Sequence, residues 1–341
     1  MMLFVGSLVA MATYAVLRQA ILPRARVAPA YYLAAMAYAG VICMICWCYW
    51  RTMVDDPGLA AQYGYDPFES GESTTNNAFE NAELVARTRN DASFRQHVTR
   101  AYAEMLRAEM SANAPARPAL AYQYETRPRW CKKCNAWKPP RSHHCSMAGA
   151  CVLKMDHYCV WMGNTIGLLN YRSFVLFLAW TCVGCAVSAA LLFRPSVAFV
   201  RGEVEVGVEA GVEVGAGGGV RGIVEGILGF ISFIFTAAFT LALIGFLVMH
   251  SGLMVRNMTT IEAYEKRKVE PWPWDVGSAK GNLAAAWFGG PEKVGRTAWW
   301  RAVLPGVDAA ERRRLVNECG HVKHRVDAVA FFQRAGVTEA V

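Results

Sequence analysis

The chain has 341 residues, of which 54% are hydrophobic and 18% charged, with a net charge of +8 and a mean hydropathy of +0.20. A two-domain soluble protein of this length would carry more charge, so the composition argues against one and points to a membrane protein. The basic balance suits an anionic leaflet or a polyphosphate ligand. Nucleic acid is not an expected partner, because no basic run is interleaved with aromatics on a soluble module.

A bilayer core of roughly 30 Å needs about 20 apolar residues of helix. Four stretches qualify. The first runs from Met2 to about Leu22, with Arg18 near its end placed to snorkel. The second covers about 31–50 and carries Trp47 and Trp50 as interfacial aromatics. The short segment 23–30 joins them as a hairpin. No basic residue precedes the first apolar run, which argues against a cleaved signal peptide and suggests that a few native residues precede Met1.

In the polar segment that follows, Asp55-Asp56-Pro57-Gly58 reads as a turn at the membrane surface, and the chain to about Glu83 as loop. Asp91 to Met110 has apolar residues at near-helical spacing behind a plausible N-cap, Asp91, and reads as a half-buried surface helix. Pro115, Pro118 and Pro128 mark 114–128 as a linker. The third span covers about 173–193 and the fourth about 223–249, with Glu225 near its start. Between them lies a low-complexity run of Val, Glu and Gly, a weak strand at most, to which we assign no chemistry. In the tail, Thr259-Thr260-Ile261-Glu262 opens a helix in the Ser/Thr-x-x-Glu manner. Trp272, Trp274, Trp287, Phe288, Trp299 and Trp300 read as packing against the membrane interface or a neighbouring domain.

Lys and Arg number 15 in Arg51–Arg172 and 14 after His250, against three in the first 30 residues and three between Arg194 and Arg221. The positive-inside rule then places both large polar parts in the cytosol. Arg18, Arg24 and Arg26 argue the other way, but clustered cysteines suit a reducing compartment and outweigh them. The expected fold is an all-α, multi-pass integral membrane protein with four transmembrane helices and a small zinc-binding, cysteine-rich cytosolic domain between helices two and three. The expected boundaries are 1–50 for the first hairpin, 51–126 for a cytosolic loop and helix, 127–172 for the cysteine-rich domain, 173–250 for the second hairpin with a luminal loop at 194–221, and 251–341 for a cytosolic tail.

Five of the eleven cysteines and three of the seven histidines fall between Trp130 and Asn170. Cys131-x-x-Cys134, a histidine of the His143-His144 pair and Cys151 supply three sulfurs and an imidazole, the ligand set of a closed structural zinc site. A short polar segment cannot build its own core, and a metal can hold it instead. Spacing alone leaves His143 and His144 equal candidates, and leaves open a redox pair at the CxxC.

Asp156-His157-Tyr158-Cys159 is a different pattern. In an extended stretch residues i and i+2 share a side, so His157 can approach Cys159, take its proton or stabilise its thiolate, while a carboxylate fixes the imidazole tautomer. Spacing leaves open that His157 and Cys159 are further metal ligands. Position favours chemistry: Cys159 falls about four turns' worth of residues before the third span, so a nucleophilic thiol sits near the bilayer. Its natural electrophile is a lipid on a water-soluble handle.

The segments Trp-Cys-Lys-Lys-Cys, Arg-Ser-His-His-Cys, Asp-His-Tyr-Cys-Val-Trp and Asn-Tyr-Arg-Ser-Phe resemble the cysteine-rich domain of the DHHC protein S-acyltransferases, most closely the fungal subgroup that reads DHYC. Asp56-Pro57-Gly58, Thr259-Thr260-x-Glu262 and Asn282 ahead of Phe288-Gly289 match accessory motifs of that family. The resemblance implies a two-step thioester exchange. Cys159 attacks acyl-coenzyme A (palmitoyl-coenzyme A), with His157 as base and Asp156 orienting it, and a cysteine of a membrane-associated protein then takes the acyl chain. Trp161 would lie at the mouth of an acyl cavity, and Arg141, Lys154 and Arg172 are candidates for the coenzyme A phosphates by charge and place.

The resemblance also assigns Cys131, Cys134, His144 and Cys151 to one Zn2+ site, and Cys145, Ala148, Tyr158 and Thr165 to the positions of a second. Three of the second four are not soft zinc ligands, so one zinc is expected and Cys145 becomes a buried thiol without metal. Three other readings stand beside this one: a silent membrane scaffold of the same fold, which would not need Asp156, His157 and Cys159; a transporter or channel, which the nearly charge-free spans oppose; and a ligase-type cytosolic zinc module, which would need about eight ligands in two complete sets.

Overall fold

The computed structural model describes residues 2–25, 28, 30–68, 78–202, 220–265, 271–288, 303–318 and 324–337. The polar 69–77 stretch, the low-complexity run, Gly289, Trp299, Trp300, Cys319 and His321 lie outside the described residues. The chain divides into two compact units, Met1–Met53, Arg172–Ser251 and Val303–Pro305 in the first, and Val54–Tyr171, Gly252–Ala302 and Gly306–Val341 in the second.

The first unit is helical. Helix α1 spans Met2–Val16, continues through a π-turn at Leu17–Ile21 and ends with a last turn at Leu22–Ala25. Then come α2 (Ala30–Val54), α6 (Tyr171–Val200) and α7 (Val220–Val255). Among the described residues three helices are long and apolar enough to cross a membrane: Ala30–Val54, Tyr171–Val200 and Gly222–Val255. The α-helical part of the expected first span is 15 residues before the π-turn interrupts it, which is short for a crossing.

These helices are apolar nearly all round, so packing is set by small residues and a few polar ties. A Cβ at Gly184 would come within 2.8 Å of Ile45, so α6 and α2 approach closely there. Tyr38 Oη and Ser188 Oγ bond at 2.9 Å on the same pair of helices. At the π-turn Arg18 Nη2 donates to Glu225 Oε1 at 3.1 Å, which pairs the two ionisable residues noted at the span ends. Between α1 and α2 lies an apolar cavity of about 520 Å³, lined by Val9, Thr13, Leu17, Ile42 and Cys46 among others, with Phe177 from α6.

The second unit contains the cysteine-rich segment, and it corrects two expectations. The stretch ahead of Glu83 is not all loop: a 3₁₀ turn forms at Ala60–Tyr63 and helix α3 covers Ala78–Asn90. The proposed linker contains α5, Arg117–Thr126, because Pro118 falls at the helix start, where its missing N–H costs nothing. The surface helix is present as α4, Ala92–Ala112, with Asp91 Oδ1 accepting from Ser93 N and Phe94 N as its N-cap.

Helices α3, α4 and α5 bury Leu84, Val98, Tyr102, Leu106 and Tyr124 in one core. The tail completes that core: Phe331 and Phe332, on α11 (Ala328–Arg334), are 0% and 2% exposed and pack on Phe68, which meets Trp137 edge to face. Arg95 donates to the Thr88 and Arg89 carbonyls at the end of α3 and lies 3.8 Å over the Trp130 ring. One cation thus caps a helix and covers an aromatic.

Three two-stranded antiparallel hairpins follow: β1 (Arg129–Cys131) with β2 (Ala136–Lys138), β3 (His143–Cys145) with β4 (Ala150–Val152), and β5 (His157–Cys159) with β6 (Asn164–Ile166). Three-residue strands are marginal alone. The Asp56-Pro57-Gly58 turn stitches two of them, with Leu153 N donating to Gly58 O and Leu168 N to Leu153 O. Its shape comes from Asp56 Oδ1, which accepts from Gly58 N and Leu59 N.

Phe331→Ala should lower stability by about 3–5 kcal/mol, because a fully buried ring leaves a cavity. Thermal melting of the solubilised full chain checks this, with Tyr264→Ala, at a side chain 85% exposed, leaving the midpoint unmoved.

Candidate active site and metal cluster

Cys131 and Cys134 sit on the first hairpin and its turn, and His144 and Cys151 face each other across the second. Their ligand atoms all lie within 4.8 Å of one another. Cys134 Sγ is 3.8 Å from Cys151 Sγ and 3.1 Å from His144 Nδ1, and Cys131 Sγ is 3.5 Å from the same nitrogen. Ligands about 2.3 Å (sulfur) and about 2.0 Å (nitrogen) from a tetrahedral zinc have edges of about 3.5–3.8 Å, so the donor set fits the ion. His144 is the imidazole of this cluster. His143 stays outside it, and burial together with the Arg129 charge pushes its pKa down to about 4.

The cluster is covered by the tail. Leu315 and Val316, on α10 (Ala309–Glu318), share a buried apolar cluster with Cys131, Cys151, Leu153, Leu168 and Leu169. Arg312 Nη1 of the same helix reaches Asp56 Oδ2 at 3.4 Å. Sequence reasoning missed these residues: α10 is more polar than apolar, and only two adjacent side chains are involved.

Cys145 is buried and takes no part in the cluster. Thr165 Oγ1 donates to its sulfur at 3.0 Å and Ala148 N at 3.4 Å, and Val152, Met155 and Tyr158 pack around it. Hydrogen bonds and packing therefore hold the second hairpin to the third.

Asp156, His157 and Cys159 come together on the third hairpin. The strand His157–Cys159 is extended, which puts the imidazole and the thiol on one side. His157 Nδ1 is 2.7 Å from Asp156 Oδ2. Asp156 is 1% exposed, and Thr260 serves it twice: Thr260 N donates to Oδ1 at 2.7 Å and Thr260 Oγ1 to Oδ2 at 2.9 Å. With Nδ1 turned to Asp156, Nε2 remains for the hydrogen bond with Cys159.

The electrostatics follow from these partners. Burial works to lower the His157 pKa, but the hydrogen bonds to Asp156 and Cys159 outweigh it and raise the value to about 9. Burial likewise works to raise the Cys159 thiol, and the His157 hydrogen bond with the Met162 and Trp161 amides brings it below its ordinary value. The pair therefore favours imidazolium and thiolate. A histidine raised above its unfolded value adds stability that is complete below about pH 6.5 and is lost as pH rises through about 9.

The four residues expected at the ligand differ in their placement. Arg141 is 7% exposed: Nε donates to Glu262 Oε1 at 2.6 Å and Nη2 to Glu262 Oε2 at 2.7 Å, with further bonds to Asn257. The guanidinium, expected near the ligand phosphates by charge and place, is committed to a buried carboxylate. Glu262 in turn closes a capping box, accepting from Thr259 N at 2.8 Å while Thr259 Oγ1 accepts from Glu262 N at 3.2 Å. Lys154 is half-buried and donates to Asn257 Oδ1 at 3.2 Å. Trp161 is 53% exposed on the turn after Cys159. Arg172 is buried in the first turn of α6, in the helical unit.

Helix α8 (Thr260–Glu265) therefore organises the site from about a hundred residues downstream. Its capping box was legible, but nothing in the spacing showed that Thr260 meets Asp156. Asn257, Trp272 and Trp274 belong to the same knot: Asn257 O accepts from Trp272 Nε1, and the Arg141 guanidinium lies 5.2 Å from the Trp274 ring. Asn282, on α9 (Ala279–Phe288), donates to Val255 O at 2.9 Å and accepts from Val276 N.

Residues 124–267 match the family model of the DHHC palmitoyltransferases. The chain is 45% identical over 150 residues to the "Probable protein S-acyltransferase 13" of Arabidopsis thaliana, an overlap of 44% of this chain and 45% of that protein. It is 38% identical over 189 residues to the "Probable protein S-acyltransferase 14" of the same plant, covering 55% and 54%. To the palmitoyltransferase pfa3 of Aspergillus fumigatus it is 40% identical over 144 residues, covering 42% and 24%. The chain spans about half the length of the two plant relatives, and α10 and α11 fall outside the family match.

Glu262→Gln should lower stability by about 3–5 kcal/mol, because it leaves the Arg141 guanidinium buried without its counter-charge. Pairing it with Arg141→Met should recover part of the loss in the melting midpoint.

Proposed function

We propose that this protein is a protein S-acyltransferase that moves a long-chain acyl group, palmitoyl foremost, from acyl-coenzyme A through a Cys159 acyl-enzyme to cysteines of membrane-associated proteins. The observation that carries the reading is His157 held between a buried Asp156 and Cys159, within a segment similar to palmitoyltransferases.

The chemistry follows from the charges. The Cys159 thiolate attacks the thioester carbonyl, and the tetrahedral intermediate collapses by expelling coenzyme A, whose sulfur takes the proton from the His157 imidazolium. The neutral imidazole then accepts the proton of the incoming cysteine thiol, which attacks the acyl-enzyme and releases Cys159 as thiolate. Asp156 keeps Nδ1 protonated throughout and compensates the imidazolium each time it forms. Trp161, exposed two residues after the nucleophile, meets the acyl chain near the thioester. With Arg141 committed to Glu262, Lys154 is the cation we assign to the coenzyme A phosphates. The apolar cavity of the helical unit is the kind of space that takes a hydrocarbon chain.

One zinc, held by Cys131, Cys134, His144 and Cys151, fixes the hairpins and takes no part in the transfer. We read the protein as multi-pass, with four spans and the cysteine-rich domain and tail in the cytosol. Tyr158 in the Asp-His-Tyr-Cys run supports kinship with the fungal DHYC subgroup.

Purified protein incubated with labelled palmitoyl-coenzyme A should form a hydroxylamine-labile adduct. Cys159→Ser should abolish it, and His157→Ala should slow its formation by about 10²–10⁴-fold. Equal labelling of all three proteins, or none in the wild type, would overturn the enzyme reading and leave a silent scaffold. Metal analysis of the same sample should give one zinc per chain, and two would contradict the single-site reading.

A further inference from the structure

The three hairpins repeat one template. In each, the strand-ending cysteine faces a residue five positions on: Cys131 opposite Ala136, Cys145 opposite Ala150, Cys159 opposite Asn164. In each, the residue just before that partner is left-handed: Asn135 at φ 50°, Gly149 at 65° and Gly163 at 62°. In the first two turns the third amide after the cysteine donates to its sulfur, Cys134 N and Ala148 N each at 3.4 Å. In the third, the equivalent amide, Met162 N, donates to the Cys159 carbonyl at 3.2 Å, and the amides of Trp161 and Met162 help to lower the Cys159 thiol.

The metal cluster shows what the template is for. The turn of one hairpin, Cys131 and Cys134, combines with the middle cross-strand pair of the next, His144 and Cys151. Applied again, the turn of the second hairpin meets the middle pair of the third, Tyr158 and Thr165, and there Thr165 Oγ1 donates to Cys145 in place of a metal. Applied a third time the rule finds no partner. Past Ile166 the chain enters α6 at Tyr171, and among the described residues no further hairpin follows the third.

We propose that the nucleophile is the sulfur of a third such turn with no metal to bind, that main-chain amides of the turn 160–163 stabilise its thiolate, and that Gly163 is the positioning residue that aims them. A turn built to present N–H groups to a metal-bound thiolate presents the same dipoles to a free one. The left-handed residue holds the turn shut, and glycine or asparagine adopts that conformation without the clash a β-branched residue meets. The inference rests on the reading of Cys159 as nucleophile and names a further element that activates it, beside His157.

The test is the pH dependence of Cys159 alkylation by iodoacetamide in the full-length solubilised protein, read on the Cys159 peptide by mass spectrometry. Gly163→Asn should keep the wild-type midpoint, as Asn135 fills the equivalent place in the first hairpin. Gly163→Val should raise the midpoint and slow alkylation near neutral pH by about tenfold, the worth of one charge-assisted hydrogen bond. Bound metal, measured in parallel, reports whether the hairpins remain folded, and if the valine variant sheds it, Gly163→Ala is read the same way. A metal-retaining variant, valine or alanine, that alkylates at the wild-type rate and midpoint overturns the inference. A wild-type midpoint at or above the ordinary thiol value would instead sink the nucleophile reading itself.

Discussion

The interaction on which the site depends is the buried carboxylate of Asp156. It accepts from His157 and twice from Thr260, and its own amide donates to Ile166 O. A carboxylate at 1% exposure is costly unless its lone pairs are filled, so it selects one arrangement of the strand it belongs to and of the helix end that meets it. A second buried pair, Arg141 with Glu262, fastens the same helix end to the segment before the second hairpin. Thr259 and Glu262 close the cap, Thr260 points at Asp156, and Asn257 joins Arg141 and Lys154. The geometry of the candidate site and the local fold are here the same hydrogen bonds.

The hairpins themselves contribute little apolar material. Their order is imposed from three sides: a Cys/His cluster fit for zinc, the α10 side chains Leu315 and Val316 over its sulfurs, and the aromatic core of α3 to α5 and α11 against Trp137. The α10 side chains and the α11 part of that aromatic core come from the end of the chain, outside the stretch that matches palmitoyltransferases. The tail is therefore part of the folded unit that carries the cysteine-rich segment.

Much of this was legible in the sequence, for reasons that differ by residue. The three apolar helices were read within a few residues except at helix ends, because length and hydropathy suffice. The Asp91 cap and the helix behind it were fixed by local hydrogen bonding, and the metal donors by residue type and spacing. His144 over His143 was not legible, since the choice depends on a cross-strand register. The proline-rich segment before the cysteines hid a helix because Pro118 is tolerated only at its start. Arg141 was read as a ligand cation because charge is visible in sequence and burial is not. The meeting of Thr260 with Asp156 and of Leu315 with Cys131 and Cys151 depends on tertiary packing, which no local pattern encodes.

The central claim is that Asp156 holds His157 as a protonated partner of Cys159. The most direct measurement is the NMR titration of histidine-labelled protein, with His157→Gln identifying the resonance. The account predicts that His157 titrates near pH 9, far above its ordinary value, and that Asp156→Asn brings the midpoint down. A His157 midpoint at or below the ordinary 6.5, unmoved by Asp156→Asn, would contradict it.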